Sequence, residues 1–227
     1  MRSLSGFKAT LLTSILAFSA VTASAHEVWL EREGDGPVRI YLGEPGEPDT
    51  GEKIDNLKNA RVFTDNRELP ATLSQNDDHW AATVSRAGDV RLFTDQVWQP
   101  WEMNDVEWWE FWKEDSALQG AILEAREGRT ETSAKLTFEL VPVTSGGHVF
   151  TALFQGEPLA NQALMLLTPS KKEIELTSDN KGLVEVTLTE KGRFVLSGVH
   201  AIETDAMHSG KKVASLMYIT SLSFVSE

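Results

Sequence analysis

Glu173-Ile174-Glu175-Leu176-Thr177-Ser178-Asp179-Asn180-Lys181-Gly182-Leu183-Val184-Glu185-Val186-Thr187-Leu188 sets the reading of the fold. Ile174 and Leu176 alternate with acids, and Val184, Val186 and Leu188 alternate with polar neighbours, the two-residue period of half-buried strands. Between them, Thr177 to Gly182 reads as a hairpin turn, because Asn and Gly accept left-handed backbone angles. The same pattern of short runs parted by turn residues continues in both directions. Toward the C-terminus lie Arg193 to Ile202 and Ser215 to Val225. Toward the N-terminus lie Gln162 to Leu167, the turn Gly156-Glu157-Pro158, the strand His148 to Phe154, and Ala134 to Val143 as a strand linking two halves. Earlier still come Glu27 to Leu30, Val38 to Leu42, Ala60 to Thr64, Ala71 to Leu73, His79 to Val84 and Val90 to Thr94. Gly43 to Gly51 holds three Gly and two Pro among acids and reads as a loop. Many short strands with regular turns are an all-β signature.

One stretch breaks the pattern. Trp98, Trp101, Trp108, Trp109 and Trp112 place five of the seven tryptophans in residues 98–127. Trp101, Trp108, Phe111 and Trp112 fall at helical spacing, Pro100 suits a helix start, and Ala117 to Arg126 is rich in helix formers. The expectation is one or two helices ending near Gly128, with the indole stripe buried as a seal between sheets. The expected fold class is therefore mainly β, with two β-sandwich domains of Ig-like or prealbumin-like type and a Trp-rich helical insert. The boundaries are a leader over 1–25, an N-terminal β domain over 26–97, the insert over 98–130 and a C-terminal sandwich over 131–227.

The chain has 227 residues, 24% of them charged and 41% hydrophobic, a formal net charge of −13 and no cysteine. That composition is globular. The missing thiol excludes disulfides, Cys-ligated metals and a Cys nucleophile. The acidic balance excludes a nucleic-acid partner, which needs a basic face. Arg2 and Lys8 precede an uncharged apolar run from Ala9 to Val21, and Ala23-Ser24-Ala25 follows. This is the form of a secretory signal peptide, cleaved after Ala25. No other segment approaches a spanning length, so the expected mature chain is periplasmic and does not enter the membrane.

Cleavage there makes His26 the new N-terminus. Its α-amine titrates near ~7.7–8, so a metal can displace the proton at neutral pH and be chelated by amine and imidazole together. One further imidazole would complete a nitrogen site suited to copper or nickel. The other histidines are His79, His148, His200 and His208, with no closely spaced pair among them. His200 shares strand parity with Phe194, Leu196 and Ile202, which suits either a packed inward ring or a ligand. His208 follows Met207 in the polar stretch Thr204 to Ser209, read as a solvated loop or a soft site for copper(I). His148 is a reserve ligand at a strand start, and His79 a surface residue. Glu27 and Glu203 lie beside His26 and His200 in sequence and would complete a mixed site. No calcium loop, nucleophile elbow or phosphate loop is present, and the scattered acids form no recognisable glycosidase pair. The chain is read as a binding protein rather than an enzyme.

Two resemblances add to this. Gly156 to Asn161, Thr177 to Gly182 and Gly192 to Leu196 resemble the transthyretin-like or carboxypeptidase-regulatory-like sandwich, whose members are usually structural or binding modules. Ala25-His26-Glu27-Val28-Trp29-Leu30, a penultimate strand carrying His200 and a closing strand Ala214 to Val225 resemble a bacterial periplasmic family of unknown function. That family is identified with a component of nickel/cobalt uptake (NikM-like). The resemblance implies a divalent metal ion as cargo, a membrane transporter component as partner, and His200 as second ligand to His26. The alternatives are a copper histidine-brace oxidase and a metal-free adhesion or scaffold module.

Overall fold

The computed structural model describes residues 26–64, 72–84, 88–102 and 117–227. In chain order the elements are β1 (Glu27–Arg32), β2 (Val38–Glu44), β3 (Glu47–Pro48), a 3₁₀ helix (Gly51–Asn59), β4 (Arg61–Phe63), β5 (Thr72–Gln75), β6 (Trp80–Thr83), β7 (Val90–Thr94), β8 (Trp101–Glu102), β9 (Leu118–Glu127), β10 (Phe138–Pro142), β11 (Val149–Phe154), β12 (Glu157–Pro158), β13 (Ala163–Leu167), β14 (Glu173–Thr177), β15 (Leu183–Glu185), β16 (Gly192–His208) and β17 (Lys211–Ser226). The chain is mainly β, as its alternation implies.

Among the described residues the strands form three sheets. An eight-stranded sheet runs β14-β13-β16-β17-β9-β7-β4, with β8 on β9. A five-stranded sheet (β1, β2, β3, β5, β6) packs on one of its faces and a four-stranded sheet (β10, β11, β12, β15) on the other. The alternation of β17 places the two cores. Ile219 joins Val28, Leu30, Val38 and Ile40 in the first cluster. Leu216, Tyr218, Leu222 and Phe224 join Phe138, Leu140, Phe150 and Phe194 in the second. A strand buried on both faces loses the polar half of its pattern, which is why Ser-Leu-Met-Tyr-Ile-Thr-Ser-Leu-Ser-Phe at 215–224 shows no clean alternation. Ser221 Oγ donates to the Val28 carbonyl at 2.7 Å, and Ser223 Oγ to that of Leu30. These short hydroxyls let β1 lie close against β17.

Several expectations change. Residues 117–126 were expected as helix, but 118–127 form β9, paired in parallel with β17 and antiparallel with β7. Ala121, Leu123 and Ala125 enter the first cluster, while Glu124 and Arg126 on the opposite face are fully buried. Helix propensity favoured Ala, Leu, Glu and Arg, and tertiary pairing overrode it. The remainder of the expected helical insert, 103–116 with Trp108, Trp109 and Trp112, lies outside the described residues. The loop expected over 43–51 contains the end of β2, the short β3 and the start of the 3₁₀ helix. The turn at 178–182 is real, with Gly182 N donating to Asp179 O at 3.0 Å. It does not close a hairpin: β14 pairs with β13, whereas β15 pairs with β11 in the other sheet. The polar stretch 204–209 is not a loop either, because β16 continues to His208 and turns through Ser209-Gly210, both at positive φ, into β17. A two-residue turn of this kind suits a twisted hairpin.

Buried carboxylates just before β7 (Asp89), on β9 (Glu124) and on β10 (Glu139) hold the connection from β9 to β10. Thr130 donates its amide and hydroxyl to Asp89, Lys135 and Leu136 donate amides to Glu139, and Thr137 and Phe138 donate amides to Glu124. Arg91 Nε and Arg126 Nη1 both reach Glu139 Oε1, at 2.7 and 2.8 Å, and Arg126 also pairs with Asp89. Burial works to raise the Asp89 carboxyl, but the Thr130 bonds and the Arg126 guanidinium outweigh it and hold the group below the usual carboxylate range. Removing either arginine would leave buried carboxylates uncompensated.

Candidate metal centre

His26 stands immediately before β1, and Asp49 immediately after β3. The hairpin of β2 and β3 brings them together: Glu27 pairs with Gly43, Gly43 with Pro48, and Asp49 N donates to Leu42 O at 2.8 Å. His26 Nε2 is 3.3 Å from Asp49 Oδ2, and Lys53 Nζ donates to Asp49 Oδ1 at 3.0 Å. The His26 side chain is 48% exposed and that of Asp49 13%. A carboxylate facing Nε2 favours the proton on that nitrogen, which leaves the Nδ1 lone pair free. Nδ1 is the ring nitrogen nearer the backbone, so it is the one that closes a chelate with an α-amine on the same residue.

Beside His26 lies a cleft of about 530 Å³ lined by His26, Trp98, Gln99, Trp101, Met217 and Ile219. Trp98 and Trp101 meet edge to face, with ring centroids 6.4 Å apart and planes at 88°. Trp101 is carried by β8 against Gln119 of β9, and Met217 and Ile219 come from the face of β17 that supplies the first core. The lining is apolar apart from the His26 ring and the Gln99 amide.

The structure does not bring His200 to this place. His200 is on the other face of the eight-stranded sheet, paired with Tyr218 and packed on Phe154 and Phe138 at centroid distances of 4.6 and 6.1 Å. Burial lowers its pKa and so disfavours the charged ring. His26 and His200 thus lie on opposite sides of β16 and β17. His208 is buried against Gly120 of β9, with Nε2 unpartnered, while Met207 beside it is 68% exposed on the opposite face. Successive strand residues point opposite ways, so these two side chains do not converge. His148 Nε2 faces Glu185 Oε1 at 3.6 Å in an exposed pair. His79 Nδ1 contacts Asp78 Oδ1 at 2.6 Å, and its ring leans on Tyr41, which stacks on Trp29. Glu203 is exposed opposite Ser215. Glu27 is buried beneath the strand; burial pushes its carboxyl up to about 8, partly offset by a hydrogen bond with Ser197. Among the described residues no group of three or more His, Cys, Asp or Glu side chains is arranged to hold a metal.

Sequence reasoning singled out His26 as a candidate but did not foresee Asp49 against its ring or the cleft it shares with Met217. Asp49 sat in an acidic Gly/Pro stretch whose solvated reading was natural. The fold of that stretch back onto β2 was the missing signal, carried by Glu44-Pro45-Gly46-Glu47 as a tight reversal. No family model matches the chain. Nor does any curated protein or any solved structure. Among the described residues no helix is long and apolar enough to cross a membrane.

Proposed function

We propose that this chain is an exported metal-binding accessory protein, with the metal held at His26 once a signal peptidase has exposed its amine. The α-amine and Nδ1 form the chelate, and Asp49 orients the ring from Nε2. Nickel or cobalt is the cargo that the family resemblance implies, with a membrane transporter component as recipient; copper is the ion that an amine-imidazole chelate binds most strongly in general. The observation that carries the reading is the 3.3 Å approach of Asp49 to Nε2 of the half-exposed His26 ring, which engages the nitrogen that the chelate does not use. The Ig-like or prealbumin-like description of the sandwiches belongs to the same reading. His200, the second ligand that the family resemblance implies, is on the other side of the sheet, so the proposed chelate stands on His26 without it; the histidine-brace alternative also requires a second imidazole.

The test is a calorimetric titration of naturally cleaved, untagged protein with nickel, cobalt, copper and zinc, beside a form carrying one extra residue before His26. The extra residue turns the amine into an amide. Affinity is expected to fall by more than the roughly 10–100-fold that loss of an outer-shell partner costs, and Asp49→Asn to fall within that range. Equal, weak binding in both forms overturns the reading and leaves the metal-free scaffold alternative.

A further inference from the structure

We infer that the cleft beside His26 is a copper(I) site, in which Met217 supplies a thioether and the indoles of Trp98 and Trp101 shield the ion. This rests on the His26 reading for its nitrogen donor and narrows the cargo to one ion. Met217 faces the cleft from β17, where its cross-strand neighbours are Ala201 on β16 and Ala121 on β9. Neighbours of that size leave the thioether uncovered, and Met217 is only partly buried although it packs against the first core. The lining therefore offers one imidazole, one thioether, two indoles and an amide. Hard cations need several oxygen donors, and among the described residues that line the cleft the Gln99 amide is the one side chain that offers an oxygen. Soft thioether donors select copper(I). A monovalent ion also loses less hydration energy than a divalent one on entering an apolar cleft. Indole is the strongest cation–π partner among side chains, so the tryptophans add attraction without adding a ligand atom.

The experiment uses the secreted, naturally cleaved protein, titrated anaerobically with copper(I) against a chromogenic copper(I) chelator. The comparison is Met217→Leu, a volume-conserving exchange that keeps the packing. The expected result is a copper(I) affinity reduced by roughly 10–100-fold in the variant, with nickel(II) affinity unchanged. X-ray absorption should find sulfur bound to copper in the parent protein and none in the variant. Unchanged copper(I) affinity, or no copper–sulfur scattering in the parent, overturns the inference while leaving the His26 chelate standing. Loss of nickel(II) binding on adding a residue before His26 tests the chelate separately. Should that addition change nothing while Met217→Leu still loses copper(I), the cleft stands on the His26 imidazole and the chelate falls.

Discussion

At Gly120 the backbone of β9 passes under the His208 imidazole so closely that a Cβ would stand 2.6 Å from the ring Cδ2 and 3.1 Å from Leu216 Cδ2. Glycine is required there by contact, since the ring belongs to a buried residue with little room to retreat. Gly120→Ala should destabilise the protein by about 1–3 kcal/mol, the usual cost of overpacking. Because the clash is with one side chain, Gly120→Ala combined with His208→Ala should lose less than the sum of the two single changes. Urea denaturation of the four proteins measures this, and strict additivity would sink the argument. The same scale explains why the Met207 and His208 side chains do not converge. Neighbours on a strand face apart, and the solvent-facing partner is the methionine.

Strand β1 shows how one element is fitted to its place. Val28 and Leu30 enter the first core, the Ser221 and Ser223 hydroxyls bind their carbonyls, and Arg193 Nη2 donates to Arg32 O at 3.0 Å. At its start Glu27 is buried on Ser197 with its pKa raised from 4.5 to about 8. The folded protein therefore keeps a proton that the unfolded chain releases between those values, so this group makes stability fall as pH rises from 4.5 to 8. Glu127, raised to about 7 mainly by burial, acts in the same direction. Glu27→Gln keeps the neutral form at every pH. Between pH 5 and 8 the metal-free variant should lose on the order of 2 kcal/mol less stability than the parent. Chemical denaturation at several pH values decides it, and identical slopes would refute the assignment. Strand β9 makes the complementary point. Its Ala, Leu, Glu and Arg residues favour a helix in isolation, yet Glu124 and Arg126 find buried partners only when β9 lies between β7 and β17.

Across the whole molecule, β9, β16 and β17 contribute to both cores. Loss of one core therefore strips one face from strands that complete the other, and a single cooperative transition is expected. Of the four described tryptophans, Trp80 belongs to the first core, Trp98 and Trp101 pack against it, and Trp29 is buried on Tyr41 outside both; none lies in the second core, where Leu222 is fully buried. Leu222→Ala should cost about 2–5 kcal/mol. It should lower the denaturation midpoint equally by tryptophan fluorescence and by far-ultraviolet circular dichroism. A fluorescence midpoint left in place while the circular dichroism midpoint falls would show two independent units. The expected boundaries at residues 97 and 131 both fall between strands of the one eight-stranded sheet, which takes β4 and β7 from before them, β8 and β9 from between them and β13, β14, β16 and β17 from after.

The β character of the chain was readable residue by residue. Alternation at 38–42 and 173–177 and the short runs at 90–94 and 163–167 are local chemistry, and each of those runs is a strand. His26 was readable as a candidate because its position after Ala23-Ser24-Ala25 needs no tertiary information. Which sheet a strand joins is a different matter. It depends on distant partners, such as Gln119 of β9 and Ser215 of β17, so local propensity alone reads β9 as a helix and the turn after β14 as a hairpin. The site divides along the same line. Strand parity placed His200 on a face with Phe194 and Leu196, but it could not show that β1 would dock on the opposite one. The meeting of His26 with Asp49, and its place in one cleft with Met217, follow from the β2–β3 reversal and the seating of β1 across β17, contacts that exist only once the sheets have packed.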